Sequence, residues 1–190
     1  MKKLSGLLIA GCVFASLADA GISYVLDGVP TFNGTDYTWT YTANLNAGEG
    51  IGYAGTQSYF TVYDFAGFDA IGPLPGGWSP TGQFLGVTPA SQGLIADNPA
   101  ILNITLFYNG PQLNGPQGPL LTFNLFSSIG AMTTGVYAYQ TNGQDVHGGF
   151  TLVDQGQGQT TVPEPTPEPG TWALLGVSLI GLAMWRRKMA

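Results

Sequence analysis

Residues 36–46 read DYTWTYTANLN, and this stretch decides the class of fold. Tyr37, Trp39 and Tyr41 alternate with Thr38, Thr40 and Thr42, so an extended chain sends the rings to one face and the hydroxyls to the other. That is the pattern of a half-buried β-strand. Working outward, similar runs recur: ISYVLD near Ile22, SYFTVYDF, QFLGVT near Phe84, ILNITLFY from Ile101, LLTFNLF from Leu120, GVYAYQ from Gly135 and GFTLV from Gly149. Turn chemistry separates them, at Asn33-Gly34, Pro75-Gly76-Gly77, Asn109-Gly110-Pro111, Asn114-Gly115-Pro116 and Asn142-Gly143. The expectation is an all-β ectodomain, an antiparallel β-sandwich with jelly-roll-like connections. No period of 20 to 50 residues repeats, which argues against a solenoid or propeller.

Composition limits what such a domain can do. The chain has 190 residues, 44% hydrophobic and 8% charged, too apolar for disorder and long enough for one buried core. Its five basic residues are Lys2, Lys3, Arg186, Arg187 and Lys188, so between Gly21 and Trp185 only His147 can carry positive charge. Nucleic acid is excluded as a partner, because neutralising phosphates needs Lys and Arg. A Schiff-base lysine, a P-loop lysine and an arginine clamp are excluded with it. The central acids (Asp27, Asp36, Glu49, Asp64, Asp69, Asp97, Asp145 and Asp154) must be solvated, capped by backbone donors or bound to cations. The single cysteine, Cys12, leaves no internal disulfide.

The two ends read as addresses. Lys2 and Lys3, an apolar stretch from Leu4 to Leu17, and Ala18-Asp19-Ala20 form a signal peptide over residues 1–20, cut after Ala20 by signal peptidase. A competing reading takes Ile9-Ala10-Gly11-Cys12 as a lipobox. At the other end, DQGQGQTT from Asp154 opens a Gly/Gln- and Pro/Glu-rich linker, which places the ectodomain at residues 21–153 and the linker at 154–170. The apolar run at residues 171–185 would rise ~22 Å as a transmembrane helix against a hydrocarbon core of roughly 30 Å. Trp172 and Trp185 flank it as interfacial aromatics, and Arg186, Arg187 and Lys188 form a cytoplasmic tail at residues 186–190.

Pro167-Glu168-Pro169, the apolar run and the basic cluster, in that order and spacing, resemble the PEP-CTERM sorting signal. A second copy of the tripeptide stands at Pro163-Glu164-Pro165, and the copy nearer the helix is expected to be the one recognised. The resemblance implies that exosortase, a membrane-embedded cysteine protease, recognises and removes the tail at the inner membrane. Residues 36–42 and 59–65 are also similar to ectodomains that commonly precede such tails.

Within the ectodomain, candidate chemistry is sparse. His147 has no Gly-x-Ser-x-Gly elbow to serve and reads as a surface-loop residue. Asp64 and Asp69, flanking aromatics, are the pair a glycoside hydrolase would need, with two loop acids as the plainer reading. Asp64, Asp69, Asp145 and Asp154 are nominees for a structural calcium site. Trp78, in a Gly/Pro-rich loop, either stacks on a sugar or plugs the end of the sandwich. Asn33 and Asn103 match the N-glycosylation pattern. The expected protein is a non-enzymatic, cofactor-free component of the cell surface or extracellular matrix, structural or adhesive and associated with exopolysaccharide in biofilm. A carbohydrate-binding module and a secreted hydrolase are the alternatives. Because residues 21–185 contain no Lys or Arg, trypsin is expected to leave that whole span as one fragment even after denaturation, a result mass spectrometry reads directly.

Overall fold

The computed structural model describes residues 21–93, 95–165 and 177–178. Twelve strands form two antiparallel sheets that share one core. The first sheet contains β1 (Ile22–Leu26), β2 (Thr31–Phe32), β3 (Tyr37–Leu45), β6 (Phe68–Ile71) and β10 (Gln117–Ser127), in the order β1-β3-β10-β6 with β2 also beside β3. The second contains β4 (Glu49–Ile51), β5 (Ser58–Val62), β7 (Trp78–Gln83), β8 (Asn103–Tyr108), β9 (Leu113–Asn114), β11 (Met132–Gly143) and β12 (Leu152–Pro163). Its order is β7-β8-β5-β11-β4-β9, and β12 pairs with β11 as well. Strand β5 pairs with Tyr137 to Gln140 of β11, and β4 with Asn142 and Gly143 farther along it.

The alternation in β3 is realised as read. Trp39, Tyr41, Ala43 and Leu45 are buried. On the other face Thr40 donates to Asn124 at 2.8 Å and Thr42 lies 3.0 Å from the Thr122 hydroxyl, in register with β10. Inside, Tyr24 stacks on Tyr41 with centroids 4.7 Å apart, and Phe60, Phe123 and Tyr137 surround Tyr24 at 5.3 to 5.9 Å. With no Lys or Arg in residues 21–185, cohesion comes from aromatic burial and hydrogen bonds.

Four expectations need correction. QFLGVT is not a strand: β7 runs from Trp78 to Gln83 and ends before Phe84. The following loop folds over the second sheet instead, where Thr61 and Tyr63 both donate side-chain hydrogen bonds to the Val87 carbonyl at 2.9 Å. Trp78 therefore opens a strand rather than standing in a loop, and Asp69 lies on β6.

The fourth correction moves the end of the domain from Val153 to Pro163. The DQGQGQTT stretch read as linker is most of β12, paired with β11 without a break from Leu152↔Gly143 to Pro163↔Met132. Its glycines are there for room. Gly156 faces Tyr139 and Gly158 faces Tyr137 across the pair, and a Cβ on Gly158 would lie 2.5 Å from the Tyr137 hydroxyl oxygen. Both rings are buried, so they cannot swing away at no cost. Gln157 and Gln159, between and beyond the glycines, are exposed, so the period-two rule holds with glycine in the place of an apolar residue.

Gly158→Ala is expected to destabilise the domain by about 1–3 kcal/mol through overpacking against Tyr137, read as a lower urea midpoint. The neighbouring Gln157→Ala, on the exposed face, is expected to stay within about 0.5 kcal/mol of the parent.

Candidate functional site

The site of interest is where β12 delivers the chain to its tail. Near that end Thr160, Val162 and Pro163 are buried, Val162 within the core cluster. The Tyr41 hydroxyl, from the opposite sheet, donates to the Thr161 carbonyl at 2.8 Å. The Glu164 amide donates to Ala131 at 2.8 Å, so residues of even number turn their backbone groups toward β11 and those of odd number turn away. Pro163, which has no amide hydrogen, falls on an odd position where none is needed. Pro165 is exposed and borders the same clefts as Ile101 and Asn98. The first Pro-Glu-Pro copy thus starts inside the sandwich at Pro163 and emerges at Glu164 and Pro165, which are exposed; the second, Pro167-Glu168-Pro169, lies outside the described residues.

Comparison with known protein families identifies the tail. Residues 165–188 are a PEP-CTERM protein-sorting motif. The match begins at Pro165, so it takes in the second copy and leaves Pro163 and Glu164 outside. A PEP-CTERM motif implies export, processing by exosortase at the membrane, and delivery toward the cell surface. No curated protein and no solved structure matches the chain. Trp172, Trp185, Arg186, Arg187 and Lys188, and the signal-cleavage residues Ala18 and Ala20, also lie outside the described residues. Among the described residues no helix is long and apolar enough to cross a membrane.

The remaining candidates are scattered rather than assembled. Trp78 is half-buried, its ring edge-on to Phe60 at 5.7 Å and 4.9 Å from Tyr108, so its surface is used in packing. Asp64 follows β5 in the second sheet, with a left-handed φ of 54°, whereas Asp69 is exposed on β6 in the first. What Asp64 meets is a different set of groups. Its amide donates to Asn103 at 2.8 Å and its carboxylate accepts from the Asn98 amide at 2.9 Å. Burial raises its pKa, the Asn98 hydrogen bond opposes the rise, and the charge of Asp97 adds to it.

Asp145 organises a turn, accepting from the amides of His147 and Gly149 at 2.8 and 2.9 Å and from the Thr151 hydroxyl at 2.7 Å. Those donors, Thr151 foremost, hold its pKa below the usual value. His147 is exposed on that turn. Asn103 is fully buried, donating to Asp97 at 3.0 Å, while Asn33 is exposed. The four calcium nominees do not converge, and among the described residues no group of three or more His, Cys, Asp or Glu side chains could hold a metal ion.

One group was not singled out in the sequence. Glu49 is 5% exposed and accepts a 2.7 Å hydrogen bond from the Thr141 hydroxyl. It is neither solvated, nor capped by backbone, nor paired with a cation. Burial pushes its pKa up to about 7, with the Thr141 hydrogen bond pulling it down and the charge of Asp154 pushing it up. Since the folded state holds this proton more tightly than the unfolded chain, its stabilising effect is complete below about pH 4.5 and is lost as pH rises through about 7. Glu49→Gln is expected to abolish that decline, leaving the variant about 1–2 kcal/mol more stable than the parent at pH 8 and nearly equal at pH 5, as measured by urea unfolding at the two values.

Proposed function

We propose that the protein is an exported, non-enzymatic β-sandwich that exosortase releases from a transient inner-membrane anchor, to serve as a structural or adhesive component of the cell surface or matrix in association with exopolysaccharide. The observation that carries the sorting part is the position of the motif: the family match starts at Pro165, directly after Glu164, whose backbone amide is bonded to Ala131 beside the start of β11. Body and tail thus meet without an intervening domain.

The apolar run at residues 171–185 holds the tail in the bilayer, and Arg186, Arg187 and Lys188 keep its end cytoplasmic. Removal by signal peptidase after Ala20 leaves β1 whole, since that strand begins at Ile22. A thiol protease would transfer the ectodomain's acyl group to its sulfur as the tail leaves with a new amino terminus, and water or another nucleophile would then free the enzyme.

The non-enzymatic, structural part draws support from how the domain uses its polar groups. Asp64, Asp97, Asn98 and Asn103 engage one another, and Asp145 is committed to its turn. The test is the intact mass of the protein from a host that carries exosortase. The mature chain is expected to lack both residues 1–20 and the basic end, and Pro167→Ala/Glu168→Ala/Pro169→Ala is expected to keep Arg186-Arg187-Lys188. A parent chain still ending in those residues would overturn the proposal.

A further inference from the structure

We propose that the folded ectodomain holds the backbone of one of its two Pro-Glu-Pro copies at the end of the sheet, so that the end of β12, and not the motif alone, assigns recognition to Pro167-Glu168-Pro169. This inference rests on the sorting reading and specifies how the substrate is presented. The two tripeptides are identical and four positions apart in the sequence. A protease cleft takes its substrate as an extended chain with free backbone groups and side chains within reach.

In copy one the backbone is tied to the end of the sheet, and two of the three side chains are exposed. Pro163 is buried and paired opposite Met132. The Glu164 amide is already bonded to Ala131, while Pro165, exposed, is where the chain emerges beside the cleft lined by Ile101 and Asn98. Freeing the tripeptide would draw on the residues behind it. Val162 would have to leave the core, and the Tyr41 bond to Thr161 would have to break. Cleavage of a segment held in a sheet is limited by local opening of that kind. Glu164 itself is exposed, so the carboxylate can be met in passing, but the chain that carries it cannot be threaded.

Distance from the apolar run also separates the copies, and the experiment must break that link. In full-length protein expressed with exosortase, deletion of residues 166–169 joins Pro165 to Gly170 and gives copy one the spacing that copy two has in the parent. Processing of this variant is expected to slow about tenfold or more, with its ectodomain still folded by circular dichroism. A second variant carries the same deletion plus Gly-Ser-Gly-Ser between Val162 and Pro163, which moves copy one clear of β11 at unchanged spacing, and its processing is expected to return to near the parent rate.

Parent-like processing of the first variant would overturn the proposal, because motif and spacing would then suffice. Failure of the second variant to recover would overturn it as well, since release from the sheet would not have restored the site. An unprocessed parent chain would instead bring down the sorting reading beneath it, so the two failures are told apart by the parent lane.

Discussion

The placement of two tyrosine rings over two glycines fixes the register that decides where the chain leaves the sandwich. Tyr137 and Tyr139 lie across from Gly158 and Gly156, and the rings need the space that a side chain on β12 would fill. A one-residue slip would put Gln157 under a ring and a glycine on the outside, so the register has one good solution. Once set, it brings Val162 into the core, brings the Thr161 carbonyl to Tyr41, and ends the strand at Pro163. The point of exit is therefore a consequence of packing some distance upstream.

A domain without Lys or Arg has to place its acids by other means, and it uses three. Asp145 is held ionised by a ring of donors. Asp64 is bonded by one backbone amide and kept near Asp97. Glu49 is buried against Thr141, with its proton affinity raised toward neutrality. The third means ties stability to pH near neutrality, whereas the contribution of the Asp145 turn is lost only as pH falls into the acid range where its carboxylate is protonated.

The main strands were legible from their composition: rings against threonines in β3, and short runs rich in aromatic and β-branched residues in β5, β8 and β11. Strand β12 was not, because glycine carries no hydrophobic signal, and its partner's rings, which supply that signal, lie about twenty residues away in the chain. The Phe84 run was misread for the converse reason. It has the composition of a strand, but its backbone carbonyl at Val87 is used by side chains of Thr61 and Tyr63. The tail was legible as an ordered set of local features. Which copy of its tripeptide is on offer was a matter of spacing in the sequence, and the physical reason for it depends on where β12 stops. Glu49 was invisible as a special acid, since nothing in Gly48-Glu49-Gly50 announces burial.

Residues 152–163 are sheet and not linker, with Glu164 bonded just beyond, and residue-resolved amide hydrogen exchange reads this out. The account predicts slow exchange at alternate positions, with Thr160, Val162 and Glu164 protected by β11 and Gln157 and Gln159 exchanging faster on the outer edge. Uniform, rapid exchange from Asp154 onward would mean that the chain leaves the domain at Val153, and would contradict it.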